Sequence, residues 1–364
     1  MESTVKLFEP IQVRSLEIRN RIWIPPMCQY SCEQQNGEPN AWHQVHYGAR
    51  ATGGAGLIIA EASAVSPEGR ISPWDTGIWN DLQVEAWRPV VDFVHSQGAK
   101  FAIQLAHAGR KGSTYREWSG RGSVTLNEGG WQTISATDEA FEGYAAPIEM
   151  STVDVIEHVQ KWVSAAKRAV AAGFDAIEIH AAHGYLLHQF LSPITNHRTD
   201  EYGGPLENRA RLLLQIIDGI RATVPSEMPI FVRFSATDYV DGGFNFEQTA
   251  QVAAWCADRG ADLFDISTGG LVANVQIPLK PGYQVPAAEF VSENLNEPVS
   301  AVGLITNPTQ AEQILQNGLV EVVMIGRASL NDPMWPLHAA AALGVEVDYV
   351  PKQYQRSQLG RTKS

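Results

Sequence analysis

The chain has 364 residues, of which 44% are hydrophobic and 18% are charged, a composition that allows a large apolar core and excludes an intrinsically disordered protein. Its net charge of −13 and pI near 5.2 predict repulsion from nucleic acids and anionic membranes, so we expect neither as a partner. No apolar segment is long enough to span a membrane and the first residues lack a signal-peptide pattern, which predicts a cytoplasmic protein.

The order of apolar segments along the chain predicts an α/β fold. Eight short apolar runs are typical of buried parallel strands, and they cover residues 21–27, 56–64, 100–105, 174–179, 229–234, 262–266, 298–302 and 320–325. Between most of them lie helical patterns, at residues 81–97, 152–172, 206–224, 246–259, 308–317 and 329–343. Eight such alternating units predict a (β/α)₈ TIM barrel.

Three further segments complete this organisation. Residues 11–18 alternate apolar and polar side chains, which predicts an N-terminal β-hairpin capping the bottom of the barrel. Residues 107–150 form a long aperiodic insertion after strand 3 that we expect to cover the mouth. We assign residues 1–348 to one catalytic barrel domain and residues 349–364, which are polar and basic, to a tail at a possible subunit interface.

The cysteine content limits the cofactors that the chain can hold. Cys28, Cys32 and Cys256 are too few for a disulfide scaffold or for a cluster that needs four thiolates. Cys28 and Cys32 are not accompanied by a second pair of cysteines or histidines with zinc-like spacing. We therefore predict no metal site.

Two polar residues interrupt apolar strands of the predicted barrel. Gln104 lies in strand 3 and Arg233 in strand 5, where an unpaired charge is rarely buried. A satisfied core amide and an internal ion pair would explain them. A bound planar heterocycle would also explain both, because an amide can pair along a pyrimidine edge and a guanidinium can neutralise negative charge on it.

Strand 4 ends in His180, His183 and Tyr185, and catalytic residues of such barrels lie at the C-terminal ends of strands. A metal site would require a third ligand, and buried unrelated histidines are the other simple interpretation. Two N–H donors aimed at one carbonyl oxygen would stabilise a forming enolate, while the phenol supplies a proton. This arrangement predicts conjugate reduction.

The ends of the last two strands are typical of a phosphate site. Gly303 follows strand 7, and Gly326 and Arg327 follow strand 8, the usual phosphate position of (β/α)₈ barrels. No Gly-x-Gly-x-x-Gly fingerprint occurs, which argues against a nicotinamide cofactor bound as in a Rossmann fold.

Motifs from one end of the chain to the other resemble the Old Yellow Enzyme family of flavoprotein reductases. They read NRIWIPPMCQYS, LIIAEASAVSPEGRIS, IQLAHAGRK, FDAIEIHAAHGYLLHQFLSPITNHRTDEYGGPLENR, FVRFSATD and EVVMIGRASLNDP. Cys28 followed by Tyr30 is similar to the thermophilic-like subgroup.

What the resemblance implies is non-covalent FMN and a defined set of contacts. The implied FMN contacts are Pro25, Pro26, Met27 and Cys28 along the isoalloxazine, Ala62, Gln104 and Arg233 on its pyrimidine side, and Gly303, Gly326 and Arg327 at the phosphate. The implied substrate contacts are His180 and His183 at the carbonyl, Tyr185 as proton donor, Tyr30 as a positioning residue, and Arg356, reaching the site of a neighbouring subunit in a homodimer or homotetramer. Cys28 would tune the flavin potential and touch the substrate, although a small buried apolar role is the common fate of a free cysteine.

The implied activity is reduction of the C=C bond of α,β-unsaturated carbonyl compounds (enones, enals, maleimides). NADPH or NADH would deliver hydride to flavin N5, and substrate would then occupy the same place, with ping-pong kinetics. Reduction of nitro compounds or nitrate esters is an alternative within the same chemistry. A flavin-binding redox sensor with Cys28 as its reactive thiol, and a metal-dependent hydrolase using His180 and His183, are alternatives from other classes.

Overall fold

A computed structural model describes residues 5–357, and a closed barrel of eight parallel strands lies at its centre. In chain order the strands are β1 (Ile11–Val13), β2 (Leu16–Ile18), β3 (Ile22–Ile24), β4 (Leu57–Ala64), β5 (Lys100–Ala106), β6 (Ile134–Ser135), β7 (Ile148–Glu149), β8 (Ala176–Ala181), β9 (Ile230–Ser235), β10 (Leu263–Ser267), β11 (Val299–Ala301) and β12 (Val322–Met324). The barrel runs β3-β4-β5-β8-β9-β10-β11-β12 and closes by pairing β12 with β3. All eight predicted barrel strands and the TIM-barrel fold are confirmed.

The first barrel strand is shorter than predicted. The apolar run suggested residues 21–27, but β3 ends at Ile24 because Pro25 and Pro26 follow it. Proline has no backbone N–H for the strand ladder, and it restricts the residue before it. The chain therefore leaves the barrel at Pro25 and leads Met27 and Cys28 across the mouth.

Helices surround the barrel. They are α1 (Ala41–Thr52), α2 (Asp81–Ser96), α3 (Thr152–Ala172), α4 (Leu186–Leu191), α5 (Leu206–Arg221), α6 (Phe246–Asp258), α7 (Val285–Ser292), α8 (Pro308–Gln316), α9 (Arg327–Asn331) and α10 (Trp335–Leu343). Side-chain caps fix several starts, as where Ser151 accepts a hydrogen bond from the backbone N–H of Asp154 at the start of α3.

The helix predicted at residues 329–343 is wrong as one element, because it is two helices, α9 and α10. Pro333 lies between them, and Asp332 before it has an extended backbone with φ −139° and ψ 91°. A residue before proline is pushed out of the helical region, which ends α9 there. The prediction also missed α1, whose buried face carries His43, His46 and Tyr47 instead of aliphatic side chains.

The hairpin and the insertion lie at opposite ends of the barrel. β1 and β2 pair antiparallel, and Ile11, Val13 and Ile18 pack against the apolar residues that fill the lower barrel, such as Trp23 and Phe231. The insertion between β5 and α3 contains the short parallel pair of β6 and β7 and follows directly on the C-terminal end of β5. Within residues 5–357, no helix has both the length and the apolarity needed to cross a bilayer.

Candidate active site

The C-terminal end of β8 brings two imidazoles and a phenol together. The ring centroid of His180 lies 5.2 Å from that of His183 and 5.0 Å from that of Tyr185. His183 and Gly184 both have positive φ, 57° and 73°, so the chain reverses sharply after the strand. A Cβ atom at Gly184 would lie 2.4 Å from the carbonyl oxygen of Gly270, which only glycine avoids. The tight turn thus places the three rings face to edge.

Burial sets the protonation of these three side chains. Desolvation, followed by the positive charge of Arg233, holds the pKa of both His180 and His183 well below 6.5. Desolvation, followed by Cys28, raises the pKa of Tyr185 well above 10. At neutral pH the site therefore offers two uncharged imidazoles and a protonated phenol. Within the described residues, the buried Nδ1 of His180 has no hydrogen-bond partner.

His183 is contacted by a chain of hydrogen-bonded polar side chains. Ser267 Oγ lies 2.8 Å from His183 Nε2 and 3.0 Å from Gln284 Oε1. Gln284 Oε1 also accepts a hydrogen bond of 2.8 Å from Thr268 Oγ1, whose oxygen lies 2.9 Å from the hydroxyl of Tyr239. These contacts engage Nε2, so Nδ1 is the nitrogen of His183 that remains for another partner.

Lys111 is a functional candidate that the sequence interpretation missed. Its Nζ donates to the carbonyl oxygens of His183 at 2.9 Å and Gly270 at 2.8 Å, and lies 5.1 Å from the ring centroid of Tyr185. Burial, followed by the charge of Arg110, lowers the pKa of Lys111 to about 8. The motif IQLAHAGRK contains this lysine, but its contacts are with segments far away in the chain.

Both polar residues of the barrel interior have partners on neighbouring strands. Gln104 Nε2 donates to Glu178 Oε1 at 2.7 Å, and Arg233 Nε lies 2.8 Å from Asp265 Oδ2. The sequence interpretation did not identify Glu178 or Asp265. These contacts occupy one atom of each side chain, and the remaining polar atoms of Gln104 and Arg233 are still available to a ligand.

Cys28, Tyr30 and Tyr185 pack on one small apolar cluster. The cluster consists of Ala62, Ile71, Ala106 and Ala108. Desolvation, followed by the charge of Asp75, holds the pKa of Cys28 well above 9. The structure thus gathers the predicted residues of the β3, β4 and β8 ends at one mouth, with Cys28 as a neutral thiol.

A cavity between the ends of β11 and β12 has the chemistry of an anion site. Its lining residues are Arg233, Tyr283, Gln284, Val302, Gly303, Leu304, Ile305, Thr306, Met324, Gly326, Arg327 and Ala328. This lining carries two guanidinium groups and no carboxylate, although the whole chain is strongly acidic. A Cβ atom at Gly326 would lie 3.5 Å from Pro25 and 3.9 Å from Met27, so the cavity adjoins the segment after β3. These residues fit the phosphate end of FMN.

Arg356 is the predicted site residue that lies apart from the others. It is exposed and belongs to a short 3₁₀ helix, Lys352–Ser357, near the end of the described residues. The first residue of the tail, Tyr349, packs on the barrel, where Asn20 Nδ2 donates to its hydroxyl at 3.1 Å and Arg19 lies over its ring. Residues 358–364 of the predicted tail lie outside the described residues.

A second cluster of metal-ligating side chains lies behind the insertion, and its chemistry argues against a metal ion. Ligand atoms of Glu68, His107 and His158 lie within 4.8 Å of one another. Lys161 Nζ already contacts Glu68 Oε1 at 2.6 Å and His158 Nε2 at 3.2 Å, so an ammonium supplies the positive charge. His107 Nδ1 accepts from the N–H of Gly109, which leaves the proton of the neutral ring on Nε2 and blocks that ligand atom.

Comparison with known proteins agrees with this geometry. Residues 6–346 match the sequence profile of the NADH:flavin oxidoreductase / NADH oxidase family. An NADPH dehydrogenase of Bacillus subtilis is 45% identical over 351 residues, which cover 96% of this chain and 98% of the relative. Morphinone reductase superposes with a TM-score of 0.78 at 28% identity, covering 95% of this chain and 91% of that one. A 2-naphthoyl-CoA reductase superposes with a TM-score of 0.84 at 25% identity, covering 91% of this chain and 51% of that longer one.

Proposed function

Because the chain belongs to the NADH:flavin oxidoreductase / NADH oxidase family, which includes the Old Yellow Enzymes, we propose that it is an ene-reductase acting on α,β-unsaturated carbonyl compounds. It is an NAD(P)H-dependent oxidoreductase with FMN as its cofactor. When bound, FMN accepts hydride from NAD(P)H and returns it to the substrate, which is redox chemistry that side chains cannot supply.

The cofactor contacts follow from the placement of the polar groups. Arg233 and Gln104 would face the pyrimidine side with Ala62, while Gly303, Gly326 and Arg327 would hold the phosphate. The support is the carboxylate-free cavity lined by two arginines. Pro25, Pro26, Met27 and Cys28 would line the isoalloxazine, because they leave β3 across the mouth.

The single observation that carries the proposal is the triad of rings after β8. His180 and His183 are uncharged and would donate N–H groups to the substrate carbonyl oxygen, which stabilises an enolate without a change in net charge. Because Ser267 Oγ donates to Gln284 Oε1, it accepts from Nε2 of His183, and the ring proton lies on Nε2. Donation from Nδ1 to the carbonyl would require the Ser267 hydroxyl to turn and donate to Nε2 when substrate binds. Tyr185 keeps its proton until the substrate α-carbon takes it, because its pKa is raised.

Two side chains would position the substrate next to this triad. Tyr30 packs on the same apolar cluster as Tyr185 and contacts the Cys28 thiol. The neutral thiol of Cys28 would touch the substrate and tune the flavin without adding a negative charge.

We also propose a cytoplasmic homodimer or homotetramer with residues 1–348 as the catalytic domain. Three free cysteines suit a reducing compartment. Arg356 and Tyr354 are both exposed in the tail, where a neighbouring subunit could bury them. Sedimentation velocity gives the assembly state, and Arg356→Ala should raise the KM for the enone in the oligomer if this arginine reaches the adjacent site.

The test of the function is an anaerobic spectrum of the purified protein. We expect a flavin spectrum that bleaches with NADPH, the donor for which the Bacillus subtilis relative is named, and returns on addition of 2-cyclohexenone. A nitrate ester added in a parallel cuvette ranks the alternative substrate class. A protein that bleaches with NADPH but is not reoxidised by enones, enals or maleimides would contradict the proposed substrate class while leaving the flavoprotein assignment intact.

A further inference from the structure

The turn of residues 28–30 carries two side chains that face the substrate, and its backbone is strained. Tyr30 has φ 51°, a left-handed conformation that costs a residue other than glycine about 1 kcal/mol or more. Such a conformation persists only where its surroundings hold it. The groups that hold this turn therefore decide where the Cys28 thiol and the Tyr30 hydroxyl lie.

Glu61 holds the N–H side of the turn from inside the barrel wall. Its side chain is fully buried in β4, and Oε2 accepts the backbone N–H of Gln29 at 2.8 Å. Buried carboxylates are rarely retained without a full set of partners, and the backbone N–H of Gln29 ties this one directly to the turn.

Two donors from α1 approach the other oxygen of this side chain, Oε1, whereas the turn contacts Oε2. The hydroxyl of Tyr47 donates to Glu61 Oε1 at 3.0 Å, and His43 Nε2 lies 3.4 Å from that oxygen. His43 Nδ1 accepts from the N–H of Asn40, which leaves the proton of this neutral ring on Nε2, facing Glu61. Glu61 is thus surrounded by donors from α1 and from the turn.

Arg116 holds the opposite side of the turn from the insertion. Its Nη1 donates to the carbonyl oxygen of Tyr30 at 3.2 Å, and its guanidinium lies 4.4 Å from the ring centroid of Trp74. The same nitrogen contacts Glu33 Oε1 at 2.7 Å. The turn is therefore held by β4 through the N–H of Gln29 and by the insertion through the carbonyl oxygen of Tyr30.

We propose that Glu61 and Arg116 are positioning residues that clamp the Cys28–Tyr30 turn for substrate binding, an inference that rests on the proposed function. Ala62, the residue after Glu61, belongs to the apolar cluster against which Cys28 packs, so one strand both holds the turn and contributes to the surroundings of the cysteine. Neither Glu61 nor Arg116 touches the reacting atoms. Their effect falls on the half-reaction that uses the unsaturated substrate.

The test compares Glu61→Gln with Tyr47→Phe in the FMN-loaded enzyme. Both variants remove a hydrogen bond at the Glu61 side chain. Only Glu61→Gln can present an NH₂ group to the backbone N–H of Gln29. We expect Glu61→Gln to raise the KM for 2-cyclohexenone about tenfold or more and to leave anaerobic reduction by NADPH nearly unchanged. Tyr47→Phe should lower the melting temperature without shifting this KM.

The reactivity of Cys28 with a disulfide reagent gives a readout independent of turnover. Cys32 and Cys256 are buried, with 1% and 0% exposure, so Cys28 is the most accessible of the three thiols. Glu61→Gln should increase this rate about tenfold because the turn loosens, and Tyr47→Phe should not. An enzyme that reduces no enone would fail the proposed function, whereas the thiol rate would still report on the clamp.

A second pair of variants tests the proposal if Glu61→Gln does not fold. Arg116→Met keeps an apolar side chain against Trp74 but loses the hydrogen bond to Tyr30, whereas Glu33→Gln leaves that hydrogen bond in place. We expect the raised KM and the faster thiol reaction in Arg116→Met only. Wild-type KM and thiol rate in Arg116→Met, or equal changes in Glu61→Gln and Tyr47→Phe, would overturn the proposal.

Discussion

At the scale of single residues, Tyr185 gives the sharpest prediction. Its raised pKa keeps the phenol protonated at neutral pH, as a proton donor requires. We expect Tyr185→Phe to slow reoxidation by 2-cyclohexenone about 100-fold and to leave reduction by NADPH within about twofold of wild type. Anaerobic stopped-flow spectroscopy measures the two half-reactions separately.

The matched control for this prediction is Tyr202→Phe. Tyr202 is 1% exposed, and its hydroxyl donates at 3.0 Å to Gln215 Oε1, which lies in α5 and not in the turn after β8. Its loss should affect stability by about 1 kcal/mol and leave both half-reactions unchanged. Equal slowing of both half-reactions in Tyr185→Phe would contradict the role of Tyr185 as the proton donor.

Sequence motifs predicted which residues meet at the mouth, but not how they are held. Gln104 and Arg233 were expected to need polar partners, yet Glu178 and Asp265 could not be chosen as those partners. Their pairing depends on strand register, which places Gln104 beside Glu178 and Arg233 beside Asp265. A local motif carries no information about that register.

At the scale of elements, the turn after β8 requires glycine at position 184. Its φ is 73°, and a Cβ atom there would lie 2.4 Å from the carbonyl oxygen of Gly270. Gly242 has nearly the same φ, 74°, with nothing within 4 Å of its Cβ position. Gly242→Ala should thus cost about 1 kcal/mol, for the backbone conformation alone. Gly184→Ala should cost about 2–4 kcal/mol, because the clash is added.

Urea unfolding of the two glycine variants measures this difference in the free energy of unfolding. Gly184→Ala should also displace His183 and Tyr185 and reduce turnover of the enone, while Gly242→Ala should leave turnover unchanged. Equal losses of stability would mean that the backbone at Gly270 can move away from the added Cβ atom without a loss of free energy. The tight turn would then not fix the positions of the three rings.

An apolar buried face explains the prediction of some elements but not of all, because the eight-residue helix α7 was missed although it buries only valine and alanine side chains. The barrel strands were found from their sequence because they are buried on all sides. Helix α1 was missed because it buries His43, His46 and Tyr47, so it has no aliphatic stripe. The insertion was predicted as a loop. Its attachment through Lys111 to Gly270 joins residues 159 positions apart, which no local pattern encodes.

At the scale of the whole molecule, buried titratable groups set the pH dependence of stability. The pKa is lowered by burial to about 4 in His43 and to about 3 in His46 and His107, and it falls well below 6.5 in His180 and His183. Unfolding lets each of these rings bind a proton below its ordinary pKa of about 6.5. Stability should therefore fall as the pH drops below 6.5.

Buried carboxyl groups act in the opposite direction. Burial raises the pKa to about 8 in Glu178 and to about 7 in Asp75. These groups are protonated in the folded state, and the stability that they contribute is lost as the pH rises through 7 to 8. Between 4.5 and 6.5 they partly offset the histidines. Below about 4.5 the unfolded carboxyls are protonated as well, so that offset disappears.

The two sets of groups together predict a stability maximum between about pH 6.5 and 7, with a shallow decline to pH 4.5 and a steep decline below it. Melting temperatures at saturating FMN and constant ionic strength, from pH 4 to 9, measure this profile. His46→Gln removes one buried imidazole and should make the acid decline shallower by up to about 1.4 kcal/mol per pH unit. A melting temperature that rises steadily from pH 7 to 9 would show that these carboxyls are ionised in the folded protein, since only then would alkaline pH leave their contribution intact.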